Sequence, residues 1–380
     1  MAQHDFKKEA LRVHKKLGGK ISIVPRASVS TLRDLSLLYT PGVGEVASYI
    51  AKHKKQAHLY TIRKRMIAIV SDGSAVLGLG NVGPEAALPV MEGKAVLFKT
   101  FADVDAFPLV LATQDTDEIV ETVSRIARTF GGINLEDISA PRCFEIESRL
   151  KKMLSIPVFH DDQHGTAIVV LAGLINAFKV AKKDIKKATI AIVGAGAAGT
   201  AIAKLLLGHK VGNILVLDRK GILESSRKDL VVHKKELAKH TNKKKQKGGI
   251  EEALNGADAV VGVSGPDRFG AKHVALMNKN PIVFALANPI PEIMPAEARR
   301  GGARIIATGR SDFPNQINNS LVFPGVFRGA LDNQVAQITE KMKLSAALAL
   351  SRTVKKPTEK KFIPGPFEKR VVRAIAAAVR

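Results

Sequence analysis

A two-domain α/β chain is predicted, with the second half built as a doubly wound parallel sheet. Three features of the 380-residue sequence point there. Short apolar runs alternate with helical patterns from residue 189 onward, as expected of strand–helix–strand units whose helices cover both faces of a parallel sheet. A glycine-rich turn joins the first of these runs to a helix. The length also exceeds what one core organises, at roughly 100–200 residues per domain.

Residues 1–29 read as a helix followed by a basic connection that carries Gly18, Gly19, Lys20 and Pro25. Ser30 is the expected N-cap of a short helix with Leu32, Leu35 and Leu38 on its apolar side. That helix stops at Tyr39-Thr40-Pro41-Gly42, where Pro-Gly marks a turn. Met66-Ile67-Ala68-Ile69-Val70 is a buried strand that runs out into Ser71-Asp72-Gly73-Ser74 and a glycine-rich stretch over 78–83. Pro84 suits the first position of a helix reaching about Phe101. A strand over 107–111, a helix over 117–130 and, over 131–137, a strand leading to a loop follow. Pro157-Val158-Phe159 enters His160-Asp161-Asp162-Gln163-His164-Gly165, ahead of a long apolar helix over 166–180. Strands are expected at 189–193, 214–217, 259–263, 282–285 and 305–307, and helix returns from about 335. The domains are drawn as 1–162 and 163–340, with a helical tail over 341–380 broken at Ile363-Pro364-Gly365-Pro366.

Val193 leads into Gly194-Ala195-Gly196-Ala197-Ala198-Gly199, a Gly-x-Gly-x-x-Gly turn set between a strand and a helix. Asp218 stands 24 residues after Gly194, at the end of the next strand. This context makes a Rossmann-type dinucleotide site. Gly194 permits the tight turn, Gly196 the approach of the pyrophosphate, and Gly199 the packing of helix on sheet, while helix N–H groups hold the phosphates. Asp218 can accept from ribose hydroxyls, favouring NAD; Arg219 and Lys220 can instead pair with a 2′-phosphate, so NADP stays open.

Two carboxylate pairs, Glu136-Asp137 and Asp161-Asp162, each lie just past a predicted strand. Strand carboxyl ends converge on one edge of a parallel sheet, where such acids repel unless a cation sits among them. Oxygen ligands select Mg²⁺ or Mn²⁺. Neighbouring residues of a regular strand face opposite ways, so an irregular backbone is expected there. Helix capping is the competing reading for Asp161 or Asp162. Lys94 shares an apolar helix face with Val90, Met91, Leu97, Phe98 and Phe101; burial there would lower its pKa and make it a base, whereas snorkelling would leave it an ordinary lysine. Lys99 faces another side and should be exposed.

Composition narrows the classes. Hydrophobic residues are 46% and charged residues 25%, ordinary for a folded globular chain. The single cysteine, Cys143, allows no intrachain disulfide and reads as a small buried residue in a reducing cytoplasm. No apolar run of about 18 residues suggests a membrane span, and the N-terminus lacks a secretory signal. Lys plus Arg outnumber Asp plus Glu by 59 to 35, a net charge of +24 that attracts anions in general. The lysines are spread over helix faces and loops with no interleaved aromatics, so no specific nucleic-acid site is expected.

Several of these blocks together resemble the malic enzyme family, in its short prokaryotic form, over about residues 15–345. They are Tyr39-Thr40-Pro41-Gly42-Val43; residues 72–83 continuing into Met91-Glu92-Gly93-Lys94; Asn134-Leu135-Glu136-Asp137-Ile138; residues 159–167; Ala287-Asn288-Pro289; and Asn318-Asn319 before Phe323-Pro324-Gly325. The resemblance implies an N-terminal α/β malic-enzyme domain ahead of the Rossmann-type domain. It implies oxidative decarboxylation of malate to pyruvate with NAD or NADP and Mg²⁺ or Mn²⁺, in a homodimer or higher homo-oligomer. By that resemblance Lys94 is the base at the malate C2 hydroxyl, Asp161 its orienting partner, and Glu136, Asp137 and Asp162 the metal ligands. Tyr39 is the acid that protonates C3, and Asn288, Asn318 and Asn319 contact substrate or nicotinamide. Larger members carry an arginine just after the Asp-Gly pair; here Ser74-Ala75 stand in that region. The second carboxylate is then held by amides of the 76–83 loop or by a lysine, of this or another subunit. A hydroxyacid dehydrogenase that does not decarboxylate, and an inactive polyanion-binding homologue, are the alternatives.

Overall fold

The computed structural model describes residues 3–76 and 78–380. Met1, Ala2 and Leu77, which include the start of the N-terminal reading and one position of the 72–83 block, lie outside the described residues. Among the described residues ten strands form two sheets. In the first, β1 (Met66–Ser71), β2 (Asp105–Val110), β3 (Gly132–Leu135) and β4 (Val158–His160) run parallel in the order β2-β1-β3-β4. In the second, β5 (Thr189–Val193), β6 (Asn213–Asp218), β7 (Gly221–Ile222), β8 (Ala259–Gly262), β9 (Ile282–Ala285) and β10 (Ile305–Thr308) take the order β10-β9-β8-β5-β6-β7. The two-residue β7 is antiparallel and was not expected; it is too short to carry a periodic pattern. Each sheet builds outward to one side and then to the other. The switch points fall between β1 and β3 and between β5 and β8, and crevices open at the strand carboxyl ends there.

Helices α1 (Gln3–Leu17), α2 (Leu32–Leu38), α3 (Gly42–Lys52) and α4 (Ala57–Tyr60) precede the first sheet, and α2, α3 and α4 bury no residue. Thr31, not Ser30, caps α2: its oxygen accepts from Asp34 N at 3.1 Å, and Ser30 only adds a bond to the Asp34 carboxylate. Around the first sheet pack α5 (Gly83–Ala102), α6 (Thr116–Ile126), α7 (Arg142–Met153) and α8 (Asp161–Ala181). The second sheet carries α9 (Ala197–Gly208), α10 (Val232–His240), α11 (Ile250–Leu254), α12 (Ala271–Val274) and α13 (Pro295–Arg300). The chain closes with α14 (Phe323–Asp332), α15 (Glu340–Arg352) and α16 (Arg370–Ala378). α14 returns to α5, and α15 packs on α8 and α9.

One apolar core therefore runs through both sheets, from Ile67, Phe98 and Phe159 to Ile190 and Phe284. α8 is its axis. It is long and apolar enough to cross a bilayer, contrary to the absence of such a run expected from sequence, yet it is mostly buried between the sheets and the closing helices. A helix apolar all round marks burial of either kind. α8 also starts at Asp161 rather than Thr166. Asp161 and Asp162 occupy its first turn, where the unpaired N–H groups and helix dipole favour negative charge. Cys143 is fully buried in α7, and burial pushes its thiol up to about 12, in keeping with a packing role.

Candidate active site

The carboxyl ends of β1, β3 and β4 supply one cluster. Glu136 N–H donates to Val70 O at 2.9 Å, keeping Glu136 beside β1. Asp137 then takes φ +53°, a left-handed conformation and the irregular backbone that adjacent carboxylates sharing a ligand require. Its N–H donates to Asp162 Oδ2 at 2.8 Å, joining the end of β3 to the first turn of α8. One oxygen each of Glu136, Asp137 and Asp162 then lie within 4.8 Å of one another. Glu136 and Asp137 are buried and Asp162 is half-buried.

Burial, with Asp162 nearby, raises the Glu136 carboxyl above its usual range. Loss of water raises Asp162 as well, against the pull of Lys94. Burial pushes Asp161 up to about 7 although Lys94 opposes it. Asp161 Oδ1 is buried with no hydrogen-bond donor. A crowded set of hard oxygen donors, destabilised as anions, fits Mg²⁺ or Mn²⁺.

Lys94 reaches this cluster from α5. It is 8% exposed, with Nζ 2.5 Å from Asp161 Oδ2, paired with Glu136, and 4.4 Å above the Phe323 ring. The apolar face read from the sequence is real: Met91 and Phe98 are buried beside it. The expected lowering of its pKa is not found. Burial does push the ammonium down, but Asp161, Glu136 and Asp162 outweigh it and hold Lys94 above its ordinary value. The sequence displayed the helix stripe but not the acids that β3 and α8 bring across to it. Lys99, as expected, is exposed and bonded to Asp103 and Asp105.

Supporting contacts fix these groups. Asn134 Nδ2 donates to Glu136 Oε2 at 2.9 Å. A Cβ on Gly165 would fall 1.8 Å from Asp161 Oδ1 and 3.2 Å from Asn319 Cβ, so only glycine fits, and Asn319 lies beside Asp161. Asn318 instead spends its oxygen on Ser320 N at 2.9 Å, capping a short turn. Asn288 is exposed past β9; its carbonyl lies 2.2 Å from where a Cβ on Gly78 would stand, so the 72–83 block abuts the second sheet. Within that block the N–H groups of Val76, Leu79, Val82 and Gly83 are committed to its own carbonyls, which narrows what it can offer a second carboxylate. Ser74 is engaged with Asp72 and Ser139. Tyr39 is not brought to the cluster: it ends α2 and is 67% exposed. Asn134 and Phe323 stand in blocks that carry the resemblance, but nothing in the sequence assigned a role to Asn134 behind Glu136 or to Phe323 under the lysine.

The second crevice carries the glycine turn. Gly194 has φ +124°, and a Cβ on it would meet Val263 O at 2.7 Å. A Cβ on Gly199 would strike Gly194 O at 1.8 Å, whereas Gly196 faces open space. Ala195 is buried, and Ala197 and Ala198 open α9. A cavity of about 660 Å³ extends from this turn to Asp218. Its shape and the open amide end of α9 fit a dinucleotide. Asp218 departs from the reading that it awaits ribose hydroxyls: Arg227 and Lys234 already engage both its oxygens. These partners lie nine and sixteen residues further on, where no spacing rule points to them.

Residues 18–151 match the family model described as malic enzyme, N-terminal domain, and residues 163–379 match malic enzyme, NAD binding domain. The chain belongs to the malic enzyme family. It is 51% identical over 377 residues to a bifunctional malic/malolactic enzyme of Bacillus subtilis, covering 98% of this chain and 92% of that one. It is 45% identical over 396 residues to an NADP-dependent malic enzyme of Halomonas elongata, covering 99% and 93%. The crystal structure of an NAD-dependent malic enzyme from Thermotoga maritima superposes with a TM-score of 0.94 at 47% identity, covering 97% of this chain and 98% of that one. The α/β architecture with a Rossmann-like second sheet is thus the malic enzyme fold.

Proposed function

We propose that the protein oxidatively decarboxylates malate to pyruvate and carbon dioxide while reducing NAD⁺ or NADP⁺. The observation that carries this reading is Lys94, held between Asp161 and Glu136 at the rim of a three-carboxylate cluster. Glu136, Asp137 and Asp162 would hold Mg²⁺ or Mn²⁺. When bound, the cation would supply Lewis acidity toward substrate oxygens and the nicotinamide would supply the hydride acceptor for C2. Asp161 accepts from Lys94 Nζ at 2.5 Å and positions it, and a cation held by Glu136, Asp137 and Asp162 would offset the anions that keep the ammonium charged, so that Nζ could lose its proton. The freed Nζ then accepts the C2 hydroxyl proton. Phe323 closes the lysine from water, and Asn319 beside Asp161, with Asn288 across the crevice, orients the substrate.

A tyrosine at C3 must come from elsewhere, because Tyr39 stands exposed on its own chain. α2 and α3 bury nothing and display Leu32, Leu37, Leu38, Tyr39 and Val43 to solvent. An apolar surface of that extent marks an interaction site. A second copy of this chain covers it in a homodimer and receives Tyr39 into its site. The domain division near residue 162, with residues 341–380 as a helical tail, follows the change of sheet, and the lone buried thiol suits a cytoplasmic enzyme.

Product analysis with malate, each nucleotide, and added or chelated divalent cation tests the reaction. Cation-dependent pyruvate is expected; accumulation of oxaloacetate would favour the dehydrogenase that does not decarboxylate, and lactate a malolactic reaction. Mixing inactive Lys94→Ala with inactive Tyr39→Phe tests the shared site. Regained activity on subunit exchange is the expected result, and none from a mixture proven to exchange would place Tyr39 in its own chain's site.

A further inference from the structure

The adenosine end of the nucleotide cavity carries information about which nucleotide enters. An acid at the end of the second strand selects NAD when its oxygens are available to the two ribose hydroxyls. Asp218 has little such capacity left. Its Oδ1 accepts from Lys220 N and from Arg227 Nη1, each at 3.0 Å. Its Oδ2 accepts from Arg227 Nη2 at 3.2 Å and from Lys234 Nζ at 2.8 Å. Partial burial works against the charge, yet the bonds from Arg227 and Lys234 hold the carboxyl below its usual range, so it stays an anion committed to cations. Arg227 is itself clamped by Asp229, with Nε 3.1 Å from Oδ1 and Nη2 2.8 Å from Oδ2.

The wall around this clamp is cationic. Arg219, Lys220, Lys234 and Arg268 line the cavity, opposed there only by Asp218 and Asp229, and Arg227 stands behind Asp218. Arg219 and Arg268 are exposed, so their charges are available to a ligand, and Lys220, also exposed, pairs with Asp229 at 3.3 Å, a surface contact that a dianionic group can displace. Such a wall repels nothing in a ribose but strongly favours a dianionic group placed on it.

We propose that this chain selects NADP⁺ over NAD⁺, with Arg219, Lys220 and Lys234 receiving the 2′-phosphate and Asp218 serving to anchor Arg227 and Lys234. The proposal rests on the dinucleotide reading of the 194–199 turn and names the nucleotide that site takes.

Calorimetric titration of the full chain with adenosine 2′,5′-bisphosphate, adenosine 3′,5′-bisphosphate and AMP tests it without turnover. The 2′,5′-bisphosphate should bind about tenfold or more tighter than AMP, the size of one or two charge-assisted hydrogen bonds. It should also beat the 3′,5′ isomer, which carries the same charge and so controls for general attraction. The double substitution Arg219→Ala, Lys220→Ala, on exposed residues, should bring the 2′,5′-bisphosphate close to AMP. Rates should agree, with kcat/KM for NADP⁺ above that for NAD⁺. AMP binding as tightly as the 2′,5′-bisphosphate, or the two isomers binding alike, overturns the selection while leaving the dinucleotide site intact. Failure of all three to bind overturns the site reading and the selection together.

Discussion

Two buried charged clusters share the first turn of α8, and they are built on opposite plans. In the first, Glu136, Asp137, Asp161 and Asp162 face one ammonium, that of Lys94. In the second, Glu147 on α7 receives His160 N at 3.1 Å, His164 Nε2 at 2.8 Å and Lys151 Nζ at 2.8 Å. Lys343 from α15 donates to His164 Nδ1 at 3.0 Å and to Glu340 at 2.7 Å. Two carboxylates there meet two ammonium groups across a neutral histidine, whose pKa burial pushes down to about 4. Burial alone would raise Glu147, but His164, Lys151 and Lys343 outweigh it and hold it well below the usual carboxylate range. In the first cluster every carboxylate with a resolved shift moves up. The fold supplied counter-charges where nothing else would come and left an excess of anions where a ligand is expected.

The largest effect expected from breaking this contrast is on turnover. Lys94→Ala should cut kcat/KM for malate by about 10²–10⁴, the usual weight of a positioned acid or base, without loss of the folded state by circular dichroism. Near-normal turnover would remove Lys94 from the chemistry. Next comes stability: Glu147→Ala removes the acceptor of Lys151, His164 and the His160 amide and should cost about 3–5 kcal/mol in denaturant unfolding, as for other broken buried pairs. A loss below about 1 kcal/mol would mean that solvent rescues the cluster.

Metal titration separates the clusters more finely. Mn²⁺ at about a hundred times its Kd should stabilise the protein by about 2.7 kcal/mol. Asp162→Asn should abolish that gain without weakening the metal-free protein, since it relieves repulsion. Glu147→Gln should keep the gain, and if it lost it the two clusters would be one unit. The smallest effect is on acid unfolding. A carboxylate depressed in the folded state contributes stability above its unfolded pKa and loses it as pH falls through the folded one. Glu147→Gln should therefore flatten the decline of stability below about pH 4.5, the ordinary glutamate range, and an unchanged acid limb would sink the assignment.

Much of this was legible in one dimension. Local rules sufficed where the information is local: strand runs such as 66–70, Pro84 at a helix start, and the 194–199 turn, where Gly194 is forced by a positive φ and Gly199 by backbone closer than any Cβ allows. The candidate cluster was legible as residue types beside strand ends, because parallel strands deliver their carboxyl ends to one edge. Boundaries at polar segments were less so, as the acidic first turn of α8 reads equally as loop.

The sequence by itself determined the parallel strands, the glycine turn and the acids available for a cation, since periodicity and backbone sterics act between near neighbours. Only the tertiary structure decided the charge states and pairings. Lys94 is raised rather than lowered, Asp218 is occupied, Tyr39 is exposed and Glu147 is neutralised. Each depends on which groups residues far apart in the chain bring within a few ångströms, and electrostatic free energy is set by that distance and by exclusion of water, neither of which spacing along the chain encodes.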